Sequence, residues 1–127
     1  MGNSAFQDQR YDDAITYYTQ ALHKDENCYG CYSNRSAAYL KSGDLLHALE
    51  DAGRCIALKP TFHKGHIRRV AVYHQLEEYQ DAVDAYREGL RHCPHDATLR
   101  RGLKEAQKKL RLQQLQDEDQ VLGAFQF

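Results

Sequence analysis

An all-α fold, built as an array of stacked helical hairpins, is predicted for this chain by three observations. The sequence matches itself in residue type when shifted by 34 positions: Ala14, Ala48 and Ala82 fall in register, as do Tyr18, Ala52 and Tyr86, then Ala21, Cys55 and Gly89, then Leu22, Ile56 and Leu90. The two prolines, Pro60 and Pro94, stand at the same position of successive blocks, with Glu26 at the corresponding place in the first. Within the blocks apolar and small residues recur at helical spacing, and no stretch reads as a strand. Small residues at a repeated helical position let two helices approach closely, and a proline stops the helix before it. A fixed period of this length marks a helical array.

Each element follows in order. Residues 2–9 form a shortened first helix, and Tyr11–Lys24 its partner. Residues 28–41 and Leu45–Leu58 make the second pair, with Ser42-Gly43-Asp44 as the turn and Gly43 as its C-cap glycine. A helix starting at Thr61 or just after it runs to about Leu76, and Tyr79–His92 is its partner. The blocks are therefore about 1–27, 28–61 and 62–95. A hairpin of this kind cannot bury its apolar face alone, so neighbours must stack. From Asp96, a plausible N-cap, the period breaks but helical character does not: Leu99, Leu103, Ala106 and Leu110 make one apolar stripe on a polar helix. This is a capping helix over 96–116, one face on the array and one in water, followed by a flexible tail over 117–127 that is acidic and then apolar.

Composition narrows the function. Hydrophobic residues are 42% and charged residues 28%, ordinary for a folded domain. A net charge of -1 gives no bulk signal for nucleic acid or an anionic membrane. No apolar run approaches the roughly 20 residues that span a bilayer, and no signal peptide is visible. Cys28, Cys31, Cys55 and Cys93 then read as reduced thiols in a cytoplasmic protein.

On the strength of its period and of the residues in register, the chain resembles the tetratricopeptide repeat (TPR) family over residues 2 to about 94. The resemblance implies three repeats in a right-handed superhelical array, with the first helix of each pair lining a concave groove. Lys64 and Arg68, four apart, share one face of such a helix; Asn34 lies on the equivalent helix of the second repeat and Asn3 on that of the first. Lys offers three donors on a compact charge, Arg a planar fork that bonds carboxylate oxygens in pairs, and Asn an amide donor. These types suit a terminal carboxylate, and capture of a C-terminus is a known recognition mode.

The segments Gly2-Asn3, Asn34-Arg35-Ser36-Ala37-Ala38-Tyr39 and Lys64-Gly65-His66-Ile67-Arg68 are similar to the carboxylate-clamp subgroup of TPR domains. Those domains occur in co-chaperones that hold the Glu-Glu-Val-Asp tail of cytosolic heat-shock chaperones of the seventy- and ninety-kilodalton classes. The resemblance implies peptide contacts at Asn3, Asn34, Lys64 and Arg68. It also gives the patch formed by Ala37, Leu40 and Lys41 the role of receiving an apolar side chain upstream of the last Asp. The subgroup carries a further Lys one turn before the first Asn, a position that would fall before Met1. Two other readings stay open: a scaffold that binds an internal peptide or helix of an unrelated partner, and self-association through the tail or the first repeat.

No phosphate loop, HExxH motif or nucleophile elbow is present, so an enzyme is not expected, nor a cofactor or metal. Cys28 and Cys31 form a CxxC without a second ligand pair at zinc spacing and without a strand before it, and are read as small packing residues. His63 and His66 flank Lys64 in sequence and are expected to tune the groove by their charge. The tyrosines fall mostly at packing positions.

Overall fold

The computed structural model describes residues 10–124. Six helices follow one another: α1 (Tyr11–Lys24), α2 (Tyr29–Ser42), α3 (Leu45–Leu58), α4 (His63–Gln75), α5 (Tyr79–His92) and α6 (Ala97–Gly123), with no strand among the described residues. Each packs against its predecessor and its successor, and α2 also touches α4 directly. That last contact makes α2 and α4 adjacent members of one face, which is the arrangement the 34-residue period predicts.

Local chemistry sets the boundaries. Asp12 and Asp13 open α1 and Lys24 closes it, each sign complementing the helix dipole. Gly43 ends α2 in the left-handed conformation (φ 90°), where the amides of Gly43 and Asp44 reach the carbonyls of Leu40 and Tyr39. Asp44 then caps α3 by accepting from the His47 amide at 3.2 Å. Thirty-four positions further on, the turn between α4 and α5 has the same left-handed backbone at Glu77 (φ 56°), without a glycine. Asp96 caps α6 by accepting from the Leu99 amide at 2.9 Å.

Small residues permit the close stacking. A Cβ on Gly65 would meet the Cys55 sulfur at 3.0 Å, and one on Gly89 would meet His66 at 3.0 Å. At Gly102 it would run into the ring of Tyr86, whose hydroxyl is itself fixed by the Nε2 of His74 at 2.8 Å. The principal core joins α4, α5 and α6 through Val70, Val83, Tyr86, Leu99 and Ala106. A smaller one joins α1 to α2 through Ala14, Tyr18 and Ala38.

Two expectations are corrected. The capping helix does not stop near Gln116, and the stretch expected as a flexible tail is helical through Gly123. The segment 112–122 is rich in helix formers and free of glycine and proline, so nothing in it breaks the helix before Gly123. Cys28 and Cys31, expected as thiols, are joined in a disulfide across the first turn of α2, where positions three apart lie on one face. Cys55 and Cys93 are free.

Candidate functional site

The site is built on α2 and α4, and it centres on Arg68. This residue sits one turn after Lys64, mid-way along α4, and reaches across to α2. Its Nε donates to the Ser33 carbonyl oxygen at 3.2 Å and lies 3.3 Å from the Ser33 hydroxyl. Ser33 is fully buried and immediately precedes Asn34, so this bond ties the guanidinium to the turn of α2 that carries Asn34. The two terminal nitrogens of Arg68 make no hydrogen bond among the described residues. Half-buried and flanked by Tyr18 and Cys55, the guanidinium has no carboxylate partner among the described residues. Its surroundings make the charge uncomfortable: burial lowers its pKa below the usual range, opposed by Cys55 and Tyr18. The same burial pushes the Tyr18 hydroxyl up, with Arg68 pulling the other way, and pushes the Cys55 thiol up to about 11.

Lys64 is exposed on the same face of α4 and is engaged in no ion pair or hydrogen bond among the described residues. Asn34 is half-buried, with its side-chain amide likewise unengaged. Lys41, two turns along α2 from Asn34, is exposed. Ala37 between them is only 7% exposed, and Leu40, next to Lys41, is half-buried. Asn3 lies outside the described residues.

Other predicted features turn away from this face. Arg35, next to Asn34 in sequence, points to α3: its Nε and Nη2 grip both carboxylate oxygens of Asp51 at 2.7 and 2.9 Å, and its Nη1 donates to the Thr19 hydroxyl at 3.1 Å. Arg54 adds a bond to Asp51 at 3.2 Å. His66 does not tune the groove. It is 1% exposed, donates from Nε2 to the Pro60 carbonyl at 2.7 Å and stacks on His92 with ring centroids 5.8 Å apart. His63 pairs instead with Asp96 at 2.7 Å. Burial pushes the Asp96 carboxyl up, but the Leu99 amide and His63 outweigh it and hold the group below the usual carboxylate range.

Ser33 holds Arg68 in place from α2, and a lone helical serine carries no signal of this in the sequence. Its position beside Asn34 and 35 residues before Arg68 would have found it once the helices were stacked. No cluster of three or more His, Cys, Asp or Glu side chains among the described residues could hold a metal. Among the described residues, no helix is long and apolar enough to cross a membrane.

These features define a helical-repeat array. The chain belongs to the tetratricopeptide repeat family, with its all-α superhelical fold. It is 31% identical to the Sgt2 TPR domain from Aspergillus fumigatus, covering 87% of this chain and 74% of that one with a TM-score of 0.80. It also matches the first TPR of Spaghetti (RPAP3) bound to the HSP90 peptide SRMEEVD, at 27% identity and a TM-score of 0.78, over 86% of this chain and 89% of that one. Among curated proteins it is 44% identical to the heat shock protein sti1 homolog of Schizosaccharomyces pombe, over 84% of this chain and 18% of that one. It is 39% identical to Hsp70-Hsp90 organizing protein 2 of Arabidopsis thaliana, over 86% of this chain and 19% of that one. The chain thus spans about a fifth of the length of these two curated relatives. No protein-family model matches it.

Proposed function

We propose that the face formed by Asn34, Lys64 and Arg68, together with Asn3, holds the free carboxyl end of an acidic peptide. The peptide is the Glu-Glu-Val-Asp-like tail of a cytosolic heat-shock chaperone of the seventy- or ninety-kilodalton class. The chain acts as the docking module of a co-chaperone, by binding and not by catalysis. One observation carries the reading: Arg68 is a partly desolvated guanidinium, oriented by Ser33, with two unengaged nitrogens and no internal carboxylate among the described residues. Burying a cation without a counter-charge costs free energy, and a ligand carboxylate is what would return it. The planar fork matches two carboxylate oxygens, Lys64 adds charge one turn away, and Asn34 supplies an amide donor. Lys41 and Ala37 would meet the peptide upstream of its last residue. The match to a TPR domain bound to a peptide ending in EEVD supports the same ligand class.

Calorimetry with a free-acid tail peptide and its amidated twin tests this. Amidation removes the terminal charge and is expected to weaken binding by at least about tenfold, or 1.4 kcal/mol. Equal affinities would favour a scaffold that binds internal segments.

A further inference from the structure

We infer that Cys28-Tyr29-Gly30-Cys31 is a redox-active dithiol site, with Cys28 as the attacking thiolate. A low-molecular-weight disulfide closes the pair and the corresponding thiol reopens it. The two cysteines are joined in the structure, and the peptide-binding face makes no use of them. Three features of their setting favour this chemistry. First, Cys28 is the N-cap of α2, and its sulfur accepts from the Cys31 amide at 3.3 Å. That register position suits an anion. Two periods further on, Asp96 caps α6, and its carboxylate accepts from the Leu99 amide at 2.9 Å. A thiolate at Cys28 meets the same unsatisfied amides and the positive end of the helix dipole.

Second, the charges around the pair do not cancel that field. No acidic residue stands in the first turn of α2, and Lys59 lies 6.0 Å from the centroid of the Tyr29 ring. In the preceding loop the Asp25 carboxylate is engaged by the Asn27 amide at 3.1 Å, and Glu26 is exposed to water. Third, both cysteines are only half-buried, whereas Cys55 is 0% exposed. The link also joins residues a separation of 3 apart, so it constrains the unfolded chain little, and little of the folding free energy holds it shut.

Exchange with glutathione disulfide balances in two steps. The Cys28 thiolate attacks one sulfur of the disulfide, whose S–S bond breaks to release one glutathione thiolate and leave a mixed disulfide on Cys28. The Cys31 thiolate then attacks the Cys28 sulfur and expels the second glutathione thiolate, and the two cysteine protons end on the two glutathiones. Two protein thiols are oxidised and one glutathione disulfide is reduced. A thiolate stabilised at the N-cap favours the reduced form, which makes the pair easier to open than a structural disulfide.

Alkylation trapping of the folded chain across mixtures of reduced and oxidised glutathione at neutral pH tests this. The pair should pass reversibly from dithiol to disulfide within the series. In Cys31→Ser, which has no second thiol to close the link, glutathione should collect at Cys28, read by mass mapping. Cys28→Ser keeps a capping oxygen, and Cys31 should then take up glutathione at least about tenfold more slowly than Cys28 does in the other variant. The proposal is overturned by a link that resists excess reduced glutathione until the chain is denatured, or by thiols that stay free in excess glutathione disulfide. Equal rates in the two variants would overturn it too, because the N-cap would then activate nothing.

Discussion

Two adjacent register positions on the groove-lining helices take opposite roles. Asn34 and Arg68 occupy one, 34 apart; Arg35 and Arg69 occupy the next. The Arg35 guanidinium is neutralised by Asp51 on α3, and Arg69 lies 3.6 Å from Glu88 on α5, so both bind the second helix of their own hairpin. Arg68 has no such acid among the described residues and clips itself instead to the backbone and hydroxyl of α2. A rotation of about 100° about the helix axis separates a structural cation from a candidate ligand-binding one. Residue type alone does not tell them apart. What decides is whether the facing element supplies a carboxylate.

The same substitution at the two arginines should therefore fail in different ways. Arg35→Met leaves Asp51, 1% exposed, with only the partly exposed Arg54 as partner. We expect a loss of about 3 kcal/mol in stability, the low end for breaking a buried pair, read by denaturant unfolding. Arg68→Met keeps the aliphatic stem and removes the cation. Tail-peptide affinity should fall by at least about thirtyfold, or 2 kcal/mol, while stability changes by less than about 1 kcal/mol. If Arg68→Met unfolded the protein as readily as Arg35→Met, the distinction between the two positions would be lost.

A third register sharpens the point through pH. His66 lies two residues before Arg68 and so about 200° around the helix, pointing into the junction of α3, α4 and α5. Its Nε2–H donates to Pro60, leaving Nδ1 buried without a partner, and His92 stacks on the ring while Arg69 and Glu88 stand near. Burial lowers its pKa, with Arg69 and His92 adding to the effect against Pro60 and Glu88. His74 shifts the same way, chiefly by burial. A base whose folded pKa is depressed contributes stability above its unfolded pKa of about 6.5 and loses it as pH falls through the folded value. Unfolding free energy should thus be flat above neutrality and drop on acidification, by up to about 1.4 kcal/mol per pH unit for each histidine. A histidine acting on the groove would instead move peptide affinity while stability held constant.

How far the sequence could be read follows from the same geometry. The 34-residue period, Pro60 and Pro94 place α3 and α5 to the residue, because repetition and helix breakers are local signals. Lys64 and Arg68 share a face by spacing alone. The orientation of His66 is legible too: two residues after Lys64 in sequence, it lies about 200° around the helix from it and not beside it in space. Arg35 was not legible, since Asp51 is sixteen residues away and on another helix, and only the stacked fold brings them together. The Cys28–Cys31 link joins positions three apart on a helical turn, which are within reach, whereas a cytoplasmic compartment favours free thiols.

The smallest expected effect tests whether register equivalence extends to the turns. Gly43 and Glu77 occupy the same position of successive hairpins, both left-handed, at φ 90° and φ 56°. A side chain in that region brings Cβ close to the following carbonyl and costs roughly 1–2 kcal/mol, which glycine avoids. Glycine also frees the unfolded chain, which takes back part of the gain. The two effects oppose each other, so Glu77→Gly should stabilise the protein by no more than about 1 kcal/mol. The Gln113 bond to the Glu77 carbonyl, at 3.4 Å, uses backbone and is retained. Thermal unfolding should show a small rise in Tm with peptide affinity unaltered. A fall in Tm would mean that the Glu77 side chain contributes more than its backbone strain costs, and that equivalence of position stops at the helices.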